Sequence, residues 1–84
     1  MGHYMVELYV EQGAAVEPAV ELTRRAAEQL TGEGRPVRLV RSILVPEDET
    51  CLLLFEAADA DAAQEAARAA ELPLERPATA AAEI

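Results

Sequence analysis

The stretch RPVRLVRSILVPEDETCLLLFEA, residues 35–57, decides the fold of this chain. Two apolar, strand-forming runs flank a short acidic turn, Pro46-Glu47-Asp48-Glu49, which is the pattern of one antiparallel hairpin. Residues 36–45 are expected as its first strand and residues 50–56 as its second. Along the first, regular alternation places Val37, Leu39, Arg41, Ile43 and Val45 on one face, with Arg38, Val40, Ser42 and Leu44 on the other. In the second, Leu52 and Leu54 oppose Cys51, Leu53 and Phe55. Strands so apolar on both sides require cover on both faces. One core of an 84-residue chain covers a single face. The hairpin therefore implies self-association.

The rest of the chain supplies the elements around the hairpin. Residues 4–11 alternate, with Tyr4, Val6, Leu8 and Val10 against Met5, Glu7, Tyr9 and Glu11, and are expected as a half-buried strand. Gly13 and Ala14 begin a connection. Residues 17–31 are expected as a helix, with Pro18 in its first turn and Ala19, Leu22, Ala26 and Leu30 along its buried side. Glu21 precedes Arg25 by four residues and Arg24 precedes Glu28 by four, so the outer face can pair charges. Gly32 and Gly34 stop the helix. A second helix is expected over residues 60–71, capped by Asp59 or Asp61 and buried through Ala63, Ala66, Ala67 and Ala70. Leu72-Pro73 ends it. Residues 75–84 contain an alanine run at 78–82 that favours helix by propensity, but Pro77 and the short length point to a final edge strand.

The order β-α-β-β-α-β is the split βαβ, ferredoxin-like arrangement. The expected fold is α+β, a single domain over residues 1–84: a four-stranded antiparallel sheet with two helices on one face. Its bare face would close on a second copy to form a dimeric α+β barrel.

Composition narrows the function. The chain is 51% hydrophobic, which excludes a disordered segment. A formal charge of −9 disfavours nucleic acid and anionic lipid as partners. No apolar run approaches the ~20 residues of a membrane span, and the N-terminus lacks the features of a signal peptide. Cys51 is the only cysteine, so no intrachain disulfide forms, and a lone thiol suits the cytoplasm. A domain this small ordinarily needs a metal or a partner subunit in place of a disulfide.

The segments Tyr4-Met5-Val6-Glu7, Val37-Arg38-Leu39-Val40-Arg41-Ser42, Val45-Pro46-Glu47-Asp48-Glu49, Cys51 through Ala57, and Leu72-Pro73 resemble a family of small actinobacterial proteins classed as a domain of unknown function, one branch of which is described as nickel-binding. The resemblance runs over essentially the whole chain. It implies a ferredoxin-like α+β barrel homodimer and nickel as the bound ion. It also marks two departures: Ala67 stands where many members have His or Asn, and Glu71 where glycine is common before Leu-Pro.

The candidate site residues follow from chemistry. His3 is the only histidine, and neutral imidazole is a good nickel ligand. Glu7, a mid-strand carboxylate between apolar neighbours, is costly unless paired or ligating. His3 and Glu7 are the candidate metal ligands, with Arg41 expected to balance Glu7. Tyr9, Arg38, Arg41 and Ser42 are the candidate lining of a small-ligand cavity. The expected role is a non-enzymatic cytoplasmic homodimer holding a metal ion or small ligand. The alternative is a barrel enzyme of monooxygenase or cyclase type acting on a small organic substrate. No Gly-rich phosphate loop, Walker pattern, GxSxG or HExxH occurs.

Overall fold

A computed structural model describes residues 1–12, 14–82 and 84 of the chain. Gly13, expected to begin the first connection, and Glu83, expected within the last strand, lie outside the described residues. The elements run β1 (Gly2–Tyr9), α1 (Glu17–Gly32), β2 (Val37–Val45), a 3-10 turn (Pro46–Asp48), β3 (Thr50–Ala57), α2 (Ala60–Arg68) and β4 (Leu74–Ala81). The sheet order is β2-β3-β1-β4, with β3 antiparallel to β1 and β2, and β4 antiparallel to β1. This is the ferredoxin-like α+β topology. The segment after Pro73 is a strand, as Pro77 argued, and the helical propensity of its alanines loses to pairing with β1.

Both helices pack on one face of the sheet. The core there is Val6 and Leu8 from β1 with Val10 just beyond it, Val37 and Leu39 from β2, and Cys51, Leu53, Phe55 and Ala57 from β3. From α2 come Ala62, Ala63, Ala66 and Ala67, whose small side chains let the helix axis lie close to the strands. Asp59 caps α2, accepting a hydrogen bond from the Ala62 N–H at 2.8 Å. Asp61 takes no such role.

Helix α1 is rotated from its expected setting. Its buried residues are Ala19, Thr23, Ala27 and Leu30, while Leu22 is exposed and Ala26 only half-buried. Thr23 is tolerated inside because its hydroxyl donates to the Ala19 carbonyl at 3.0 Å. A threonine on the buried side breaks the apolar pattern by which such a face is recognised, which is why the period favoured Leu22. Arg24 pairs with Glu21 at 3.8 Å rather than with Glu28, and Glu21 also meets Arg25 at 3.5 Å. At the C-terminus the Arg35 N–H reaches back to the Leu30 carbonyl, and Gly34 supplies the left-handed turn at φ +92°. At the end of α2 the equivalent left-handed position is Glu71, at φ +58°. A glycine at this position would fit that backbone without strain.

The decisive irregularity is in β2. Leu39 pairs with Phe55 and Arg41 with Leu54, so Val40 is an extra residue, a β-bulge. Beyond it the alternation is reversed. Ser42 and Leu44, opposite Leu53 and Cys51, lie on the helix side of the sheet. Arg41, Ile43 and Val45 lie on the open side, where regular alternation had grouped them with Val37 and Leu39. Val40 also borders the open face.

Candidate functional site

The open face is the side of the sheet that no element of this chain covers. It presents His3, Met5, Glu7 and Tyr9 from β1, Leu52, Leu54 and Glu56 from β3, and Val40, Arg41, Ile43 and Val45 from β2. Met5, Val40, Val45, Leu52 and Leu54 are only partly buried, and Ile43 is 44% exposed. Its β2 and β3 part is mainly aliphatic, with Arg41 set among these residues, while Glu7 and Arg76 place a charged pair across β1 and β4.

Each edge of the sheet is capped at one position by the helix beside it. On β2 the Thr31 hydroxyl donates to the Val37 carbonyl at 2.9 Å and accepts from the Val37 N–H at 3.1 Å. On β4 the Gln64 side-chain carbonyl accepts from the Ala78 N–H at 3.0 Å, and Pro77 has no N–H to offer. Each edge strand therefore has backbone groups satisfied by the helix beside it, a recognised guard against edge-to-edge association.

At one end of the open face His3 Nε2 lies 3.8 Å from Glu56 Oε2, and Arg38 lies 3.4 Å from the other oxygen of the same carboxylate. Beside them is a cavity of about 350 Å³ bordered by His3, Met5, Val40, Arg41, Leu54 and Ala81. At the other end the Tyr9 hydroxyl donates to Glu49 at 3.4 Å, and the Gln12 N–H donates to the same carboxylate oxygen at 3.1 Å. The negative charge of Glu49 is the main cause that raises the Tyr9 pKa above its ordinary value, followed by desolvation and the hydrogen bond.

The candidate residues are therefore not one constellation. His3 and Glu7 share the open face but are four residues apart on one strand, about 13 Å between Cα atoms at ~3.3 Å per residue. Ligands of one ion must bring their donor atoms within about 4 Å of each other. Glu7 pairs with Arg76 of β4 at 3.8 Å, not with Arg41. Ser42 leaves the group entirely: the bulge turns it to the helix side, where it borders a separate cavity with Val16, Val20, Leu44 and Cys51. Tyr9 stands at the opposite end of β1 from His3, Arg38 and Arg41. Only His3, Arg38 and Arg41 gather at one corner.

Nickel is the ion that the resemblance implies. Within one chain the residues present do not form a site for it. Among the described residues no group of three or more His, Cys, Asp or Glu side chains comes together. Ala67 is fully buried against the helix face of the sheet, on the side away from His3, so a polar residue at that position would not join His3. Cys51 is also buried on the helix side, and burial pushes its thiol pKa up, which leaves it a core residue rather than a nucleophile.

Sequence reading missed Glu56, Met5, Val40 and Leu54 as parts of this corner. Glu56 was within reach, since it shares the parity of Leu52 and Leu54. Val40 shares the parity of Arg38; what nothing in RLVRS marks is the bulge that puts Arg41 on the same face. Among the described residues no helix is long and apolar enough to cross a membrane. Comparison with protein-family profiles, curated proteins and solved structures finds no match to this chain.

Proposed function

We propose that the protein works as a non-enzymatic homodimer whose two open sheet faces close on each other and enclose a small binding space. The observation that carries this reading is the uncovered aliphatic centre of the open face, Met5, Val40, Ile43, Val45, Leu52 and Leu54, on a sheet whose edges carry caps. A contiguous apolar surface of this kind marks an interaction site. The molecule measures 36 × 28 × 17 Å, so its broadest side bounds a rectangle of roughly 1,000 Å², an upper limit that leaves room for the ~800 Å² per partner of a stable interface. A second copy offers the same apolar centre and closes the assembly by two-fold symmetry.

The bound species in this reading is a small ligand held at the His3 corner. A nickel ion, carried over from the resemblance, would need both chains, with His3 and Glu56 as the donors each contributes. Native mass spectrometry of tag-free protein at micromolar concentration tests subunit number and bound metal together. A dimeric mass supports the reading, and a monomeric mass sinks it. If nickel added to the dimer gives neither a mass increment nor heat in calorimetry, the metal form of the proposal is removed.

A further inference from the structure

Arg41 has no role in the fold described above. We propose that it anchors a small monocarboxylate with a hydrocarbon body, seated in the cavity of about 350 Å³ at the His3 corner of the open face. This rests on the reading that the open face is the functional one.

Three observations converge. The first is the bulge. Regular alternation would send Arg41 to the side of Val37 and Leu39, above the core; the extra residue Val40 re-aims it onto the open face beside the cavity. The second is that no carboxylate among the described residues pairs with it. The chain has 16 acidic and 7 basic residues, so carboxylates are plentiful. Arg24, Arg25, Arg35, Arg38 and Arg76 each lie within salt-bridge distance of one. Among the described residues Arg41 has none. Arg68 has none either, but it occupies the last turn of α2, where the helix dipole favours a cation. The third is the lining. Met5, Val40, Leu54 and Ala81 present aliphatic walls, with His3 and Arg41 at the border. Glu56 is the one carboxylate at this corner among the described residues, and it is engaged by Arg38 and His3.

A guanidinium is a planar fork that matches a carboxylate through two parallel hydrogen bonds. One guanidinium unpaired among the described residues, set beside apolar walls, suits a monoanion with a hydrocarbon tail. A phosphate would call for several cations and no apolar wall.

The test uses the full chain, ¹⁵N-labelled, titrated with sodium hexanoate and with hexanamide, its uncharged counterpart. Hexanoate is expected to move the amide resonances of Met5, Val40, Arg41 and Leu54, and hexanamide to bind roughly tenfold or more weakly, the loss for one charge-assisted contact. Arg41→Gln should abolish the difference between the two probes, and Arg41→Lys should retain part of it. The side chain is exposed, so neither substitution threatens folding. Equal binding of the two probes, or no shift at these four positions, overturns the proposal. So does an Arg41→Gln variant that dissociates the dimer when hexanoate fails to bind, which would make Arg41 an interface ion-pair residue. Subunit number measured on the same samples separates this inference from the dimer itself. A dimer that ignores hexanoate removes the site alone, and a monomer that binds it removes the dimer alone.

Discussion

Deleting Val40 should leave the fold intact, and this outcome distinguishes the bulged strand from a regular one. In the bulged register Val40 and Arg41 together face Leu54. Removing Val40 restores one-to-one pairing, with Leu39 still opposite Phe55 and Arg41 still opposite Leu54. No other side chain changes face. The loss is one half-buried valine on the open face. Full burial of such a side chain is worth about 1.5–3 kcal/mol, so the deletion should cost about 1 kcal/mol. For a domain of this size that lowers Tm by about 4–8 °C. Had residues 37–45 alternated regularly, the same deletion would reverse every side chain from Arg41 to Val45. Ile43 and Val45 would leave the core side and Ser42 would enter it, a loss of about 3–6 kcal/mol, comparable with the whole stability of a small domain. Thermal unfolding followed by circular dichroism reads the difference. A Tm drop beyond ~20 °C, or an unfolded variant, refutes the bulge and with it the placement of Arg41.

Three further outcomes follow from the backbone and the polar contacts. Glu71→Gly should stabilise the protein by about 0.5–1 kcal/mol in urea denaturation, because the left-handed conformation at φ +58° costs a side-chain-bearing residue about 1–2 kcal/mol, part of which glycine returns through its freer unfolded chain. Thr31→Val keeps the shape but loses both hydrogen bonds to Val37; at about 1 kcal/mol each it should destabilise by about 1–2 kcal/mol and raise the tendency to associate through the β2 edge, read by unfolding and light scattering. Tyr9 should ionise above pH 10 in an absorbance titration, and Glu49→Gln should bring it down. Because its folded pKa is raised, the stability it contributes is complete below the unfolded value near 10 and is lost as pH rises through the folded value.

The order of elements was legible because each rests on a local period. The two-residue alternation of residues 4–11, the three-and-four spacing of residues 17–31, and the Pro77 that weighs against the helical alanines all act within a few residues of themselves. The candidate site was legible only in part. His3, Arg38 and Arg41 do share a corner, but Glu7 belongs with Arg76, its neighbour on β4 at an irregular point of the β1–β4 register. Thr23 inside and Leu22 outside reflect the rotation of α1 on its neighbours, which no single-helix pattern contains.

The hairpin 35–57 shows the same division most plainly. Its sequence alone determined that two apolar strands meet at Pro46-Glu47-Asp48-Glu49 and carry more apolar surface than one core of 84 residues covers, since composition and turn chemistry are properties of the residues themselves. Which side each residue beyond Leu39 faces was decided by the tertiary structure. The pairing of β2 with β3 accommodates one extra residue at Val40, and a single added residue reverses the alternation of everything after it.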